Sequence, residues 1–512
     1  MFVSTHGITA RPTSGPSYGT LTTAWIAATG ETDLTILGAL NTLESDMATY
    51  GLTSKMKALY PFVGGTAGKH SYNFMNTAAY QITWAGGITH SSTGVLFNGT
   101  NSYGDTNLNV NSVMTLNSSA FGIYNRTDSA AATRAHGVAQ GGNYAVLFDK
   151  WSGNRTYVYL NDNGFIGVDA ANTDAKGFYQ GSRTASNALR LVKNTTHTTS
   201  TAASGTKPNG NFFIGAQNNI GSQAYYNDRQ VAFTYLSDGL TQTECDNLYT
   251  AVQKFQTTLG RQVGVPIVSD SDAQAFLNAA VITDTTQASA VNTLVTGLKA
   301  DGLWTKMTAL YPFVGGNATA HSYNLKNPAT YQMSFVGGWT HSSTGALPNG
   351  TNAYANTGIL ASSFGNDYML NFYSRTNTSG LKSDLGTYNE TTLGLTLEVL
   401  IGGGTITMDI PDVNNRLSFA VTDSLGNFTF FNNSSNGRRA FRNSTSLLNT
   451  TYLASAMTNK NLIFSDWGYL AAPRYSDRQL AFGGFGAGFT ATDATNYYNR
   501  VQTYQTALSR NV

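Results

Sequence analysis

The sequence predicts a mainly β protein: two tandem sandwich or jelly-roll domains, each flanked by an N-terminal and a C-terminal helix. Three observations predict it. First, residues 55 to 103 realign on 306 to 354 at a constant offset of 251 without a gap, and 33 of those 49 positions are identical. That period is far longer than the roughly 20–50 residues of a solenoid repeat, so it marks duplication of a whole domain. Second, short apolar and aromatic runs alternate with Gly/Asn/Asp/Ser clusters through the middle of each copy, the pattern of many short strands joined by tight turns. Third, helical apolar spacing appears only at the two ends of each copy.

Residues 1 to 20 have no counterpart in the second copy. They carry Arg11, Pro12 and Pro16, which disfavour both helix and central strand. They read as an extended arm or a disordered terminus. The first domain is expected over 21 to 263, a short stiff linker over 264 to 270, and the second domain over 271 to 512.

Within each domain, Thr32-Asp33 and Thr283-Asp284 read as helix N-caps. Leu37, Leu40, Leu43 and Met47, and in the second copy Ala288, Val291, Leu294, Val295 and Leu298, follow at helical spacing. These helices are expected to end before Gly51 and Gly302. Strands are expected at Tyr144 to Phe148, Thr156 to Leu160, Ala188 to Lys193 and Asn211 to Ile214. In the second copy the matching expectations are Leu393 to Leu400, Leu417 to Val421 and Asn427 to Phe431. A capping box, Thr241 with Glu244, opens the closing helix, whose apolar face is Leu248, Val252, Phe255 and Leu259. Tyr497, Val501, Tyr504 and Leu508 match that face in the second copy.

Charged residues are 11% of the chain against roughly 25% in an ordinary soluble domain. Gly, Asn, Ser, Thr and Tyr replace them, as in binding loops. The net charge of +2 and the lack of a basic stripe argue against nucleic acid and anionic membranes. With Cys245 alone, no intrachain disulfide is possible. No secretory signal pattern and no apolar run of membrane-spanning length is read from the sequence, so synthesis and folding in a cytoplasm are expected.

The chemistry-bearing residues are few. His70 and His90 recur as His321 and His341, without a recurring carboxylate nearby, so hydrogen-bonded loop histidines are favoured over a metal site. Asp228-Arg229 recurs as Asp477-Arg478. Glycoside hydrolysis needs two carboxylates flanking one bond, and no second repeated carboxylate is evident, so a structural Asp–Arg pair is favoured. There is no nucleophile elbow, P-loop or dinucleotide fingerprint, and neither catalysis nor a cofactor is expected. Trp84, Tyr103, Trp339 and Tyr354 lie near repeated Gly-Gly turns and are open to either sugar stacking or core packing.

The repeated signature Lys55-Met56 to Val63-Gly64-Gly65, then Thr89-His90-Ser91-Ser92-Thr93-Gly94, then Asp228-Arg229-Gln230, resembles a module of virion structural proteins of tailed bacteriophages, particularly those of Bacteroidetes hosts. The later half of each module, with Ser182-Arg183 and Ala188 to Asn194, resembles concanavalin A-like or laminin-G-like jelly rolls. The resemblance implies a head fibre, capsid decoration or tail fibre or spike at the virion surface. It also implies docking on capsid or tail proteins through the arm (Arg11, Pro12), host-glycan binding, and a homo-oligomer, trimeric by analogy. Some laminin-G-like domains hold calcium, but no residue set here matches that site. A polysaccharide depolymerase on the same scaffold and a bacterial surface adhesin are the alternatives.

Overall fold

The structure, a computed structural model, describes residues 17–131, 134–220, 222–388, 394–401, 404–409, 417–433, 437–450, 458–468 and 473–512. Arg11 and Pro12 lie outside the described residues. The chain divides into two compact units, Met1–Val263 and Gly264–Val512. Each is a β-sandwich of largely antiparallel sheets with a helical layer on one face.

In the first unit the expected helix runs Leu34–Thr49, and the Asp33 carboxylate accepts the Thr35 amide at 2.8 Å. The closing helix, Gln242–Thr258, starts at the expected capping box. A helix the sequence reading did not anticipate, Thr20–Thr29, precedes both. Gly19 at its start has no side chain to cap it. The cap comes from the next helix instead: Glu44 accepts the amides of Leu21 and Thr22 at 2.9 Å each and the Thr22 hydroxyl at 2.8 Å. The second unit repeats the plan with Ser271–Ala279, Thr285–Ala300 and Ala491–Ala507. Asn41 accepts the Gly19 amide as Asn292 accepts that of Asp270, so the two copies match back to this point.

The first sheet of unit one runs, in spatial order, Thr196–Ser200, Ala188–Lys193, Gly177–Ala185, Ser119–Asn125, Gln230–Ser237, Gly94–Leu96 and Thr89–Ser91, with Met56–Tyr60 also pairing to Gln230–Ser237. The second runs Val168–Ala171, Arg155–Asn163, Asn143–Trp151, Arg134–Gln140, Asn211–Ile214, Tyr103–Asn109 and Thr83–Ala85. Unit two has the same two-sheet plan, with Leu480–Gly486 and Tyr368–Ser374 at the centre of its first sheet.

The first sheet is covered twice. On one face Leu59, Tyr124, Phe178, Phe233 and Tyr235 pack with Leu40, Leu43, Met47, Leu248, Val252 and Phe255 of the helices. On the other face Tyr60, Phe121, Ile123 and Tyr179 pack with Leu147, Val158, Phe212 and Ile214 of the second sheet. Alternate residues of a strand point to opposite faces, so its central strands are buried along nearly their whole length, as in Ser119–Asn125 and Tyr368–Ser374. Among the described residues the outer face of the second sheet has no such helical layer. That is where unit one carries its most unusual surface.

Candidate functional site

Three groups of side chains stand out, and only the third has the character of a binding surface.

The first is a buried polar hub. Arg229 and Asp228 are adjacent in sequence but face different partners, so the expected structural pair is two separate interactions. Arg229 is fully buried and donates to Asp149 Oδ1 at 2.6 Å. Asp228 sits at the rim, accepting from the Ser129 hydroxyl at 2.8 Å and from Arg134 Nε at 3.3 Å. In unit two Arg478 donates to Asp384 at 2.6 Å, while Asp477 is held by Thr378 and Lys382. A buried guanidinium is costly without compensation, and here each copy supplies a carboxylate. Asp149 comes from the strand Asn143–Trp151, but Asp384 comes from the start of the neighbouring strand, Leu385–Tyr388. The sequence copies do not align there, which is why no second repeated carboxylate was visible. Burial acts to raise the Asp149 carboxyl, but His136, the Arg229 charge and Asn227 hold it below its ordinary value.

The second is the repeated histidine pair. His70 Nδ1 lies 3.0 Å from His90 Nδ1, and His321 Nδ1 lies 2.9 Å from His341 Nδ1. Such a contact requires one ring to donate and the other to accept, which two imidazolium rings cannot do. Burial, with the neighbouring histidine and arginine, pushes His70 and His321 down to about 3, and burial also lowers His90 and His341. Among the described residues no group of three or more His, Cys, Asp or Glu is placed to hold a metal ion.

The four aromatics singled out from sequence lie around these pairs or on the strands beside them. Trp84 is half-buried, its indole donating to Ala67 O at 3.1 Å and its ring 4.8 Å from that of His90. Tyr103 stacks on Phe213 at 4.5 Å. Trp339 donates to Val336 O and Tyr354 O and packs on Phe335 at 5.2 Å. Trp84, Tyr103 and Trp339 are thus engaged by their neighbours, and Tyr354 contributes its backbone carbonyl. At the offset of 251 Trp84 corresponds to Phe335, so the two tryptophans are not equivalent positions. Cys245 is buried, and burial raises its thiol to about 12, far from a nucleophile's range.

The third group was missed from sequence. On the strands Asn143–Trp151 and Arg155–Asn163, Ala145, Leu147, Val158 and Leu160 face the core. Their alternates form a separate cluster on the opposite face: Val146 and Phe148, with Tyr144, Trp151, Tyr157 and Tyr159 packed against them. Phe165 and Tyr225 extend it from the flanking loops. Successive rings lie 4.3 Å (Tyr144–Phe165), 5.9 Å (Tyr144–Tyr159), 6.0 Å (Tyr157–Tyr159) and 6.2 Å (Trp151–Tyr157) apart, and Tyr225 lies 5.4 Å from Phe148. Tyr157 and Tyr159 are parallel to within 6°. Phe165 is 58% exposed and Tyr225 40%, and Ile166 and Ile220 are also exposed. Exposed rings gathered in one place are the surface character expected of a recognition site. The signal was present as Tyr/Phe at alternate positions of two expected strands, but periodicity does not say which apolar face turns outward.

No helix among the described residues is long and apolar enough to cross a membrane. No family model matches the chain. No curated protein matches it either. Among solved structures it is similar to domain 4 of AbnA, an extracellular arabinanase from Geobacillus stearothermophilus, at 10% identity and a TM-score of 0.29, over 38% of this chain and 98% of that one. It is also similar to the mouse laminin alpha1 chain at 9% identity and a TM-score of 0.22, over 77% and 84%. A third likeness, to Trypanosoma rangeli sialidase, has 9% identity and a TM-score of 0.31, over 70% of this chain and 61% of that one. At these scores the sandwich is read from the chain's own strand order, and the site from its own residues.

Proposed function

We propose that this chain is a carbohydrate-binding structural protein of a bacteriophage particle, a head fibre, capsid decoration or tail fibre. In this reading it is made in the host cytoplasm and held on the virion through residues 1 to 20. The observation that carries the binding half is the aromatic surface of unit one, six rings (Tyr144, Trp151, Tyr157, Tyr159, Phe165 and Tyr225) laid over the buried Phe148. Flat rings give contact area to a sugar's C–H face at little entropic cost, and phenol hydroxyls give hydrogen bonds at the edge. The virion half is supported by the repeated signature and by a surface rich in Gly, Asn, Ser and Thr. Many copies on one particle multiply a weak sugar affinity through effective concentration.

Immunogold electron microscopy on intact particles, with antibody to the purified protein, tests the virion half. Label on heads or tails supports it, and unlabelled particles overturn it. Deleting residues 1 to 16, which stops short of the Gly19–Asn41 contact and the helix start at Thr20, is expected to abolish incorporation while both units stay folded. Incorporation that survives the deletion removes the arm from the proposal.

A further inference from the structure

We infer that the aromatic surface takes uncharged glycans, and that unit one alone carries it. The inference rests on the carbohydrate-binding reading and narrows it.

The strands that build the surface span residues 134 to 171 and contain three cations, Arg134, Lys150 and Arg155. Each is already engaged. Arg134 Nε meets Asp228 at 3.3 Å, Lys150 Nζ meets Asp128 at 3.1 Å, and Arg155 pairs with Asp169. Uronates, sialates and sulfated sugars are recognised by free Arg or Lys, typically through a bidentate fork. Here an anionic sugar would have to displace a resident carboxylate. It would also approach Asp169 beside the Tyr159 hydroxyl, whose ionisation is disfavoured by burial first and then by Tyr157, Asp162 and Asp169.

Among the described residues, the hydroxyls of Tyr144, Tyr159 and Tyr225 have no hydrogen-bond partner within the protein, although their rings are packed. Flat apolar faces bordered by free neutral hydroxyls complement a ligand with C–H faces and neutral hydroxyls of its own.

The corresponding strands of unit two, Gly394–Ile401 and Thr405–Asp409, contain no aromatic residue at all. The copies share the histidine pairs and the buried arginines, but not this surface.

Affinity electrophoresis of the full chain tests the inference. Gels contain either neutral polysaccharides (galactomannan, dextran, hydroxyethylcellulose) or acidic ones (alginate, polygalacturonate), at low and high salt. The expected result is salt-insensitive retardation by a neutral polymer only, weakened about tenfold in Tyr157→Ala/Tyr159→Ala. Thermal unfolding confirms that the variant is folded, and Tyr159→Phe, which keeps the ring, is expected to lose less. Retardation by acidic polymers alone, collapsing with salt, overturns the neutral class and leaves carbohydrate binding standing. Neutral retardation that survives the tyrosine variant but disappears in Trp339→Ala overturns the assignment to unit one. No retardation in any gel overturns the carbohydrate reading itself, and this inference with it.

Discussion

Arg229 and Asp149 are 80 residues apart in sequence and 2.6 Å apart in the first unit, both fully buried. Arg478 and Asp384 repeat the relationship at 2.6 Å in the second, with the carboxylate delivered by a different strand. The guanidinium is the fixed element, and the fold has found an acid for it twice.

Asp149→Asn is therefore expected to destabilise unit one by about 3–5 kcal/mol, because it strands a buried cation. Asp384→Asn should do the same in unit two. Asp149 is held below its unfolded value, so its contribution is present above roughly pH 4 and is lost as pH falls through the folded value. Chemical denaturation measures this. A change within about 0.5 kcal/mol of the parent would show that the pair does not hold the fold.

The histidine pairs predict a second acid sensitivity. The folded values of His70 and His321, about 3, lie below the unfolded value of roughly 6.5. Between those limits the unfolded chain binds more protons, so stability is complete above about pH 6.5 and declines toward pH 3. His70→Gln/His321→Gln should flatten the dependence of the denaturation midpoint on pH between 4 and 7. Superimposable profiles would sink the idea.

Asp162 predicts the opposite sign. It is fully buried, both of its carboxylate oxygens lack a hydrogen-bond partner, and burial raises it to about 6. Its ionisation is favoured in the unfolded chain, so its penalty is absent below roughly pH 4 and develops as pH rises to 6. Asp162→Asn should stabilise unit one at pH 7 by about 2 kcal/mol and have little effect at pH 4. A variant less stable than the parent at pH 7 would mean that Arg183 depends on the carboxylate.

Glu44→Ala removes the cap on Thr20–Thr29 and should cost about 1 kcal/mol. Hydrogen exchange at the Leu21 and Thr22 amides should accelerate. Unchanged exchange at those two amides would assign the helix start to packing alone.

Features that depend on neighbours in sequence were readable directly. Asp33 and Asp284 cap their helices, Thr241 and Glu244 close the capping box, and the runs at Ala188–Lys193 and Asn211–Ile214 are strands. Their physics is local: a side-chain oxygen two or three residues from an amide, or alternation along one strand. Thr20–Thr29 escaped because its cap comes from Glu44, more than 20 residues onward. The partner of Arg229 escaped because Asp149 lies on another strand.

The sequence by itself determined the duplication, the mainly β class and the helix-bounded plan of each copy, since identity, periodicity and capping are properties of the chain as written. Only the tertiary structure decided which apolar face of each strand is core and which is surface. Tyr157 and Val158 are adjacent and both apolar, yet one joins the outer aromatic surface and the other the interior. The first sheet is covered by helices and a second sheet, whereas the second sheet has a partner on one side only. Among the described residues of the unit no further layer packs over its outward rings, and Phe165 and Tyr225 stay exposed.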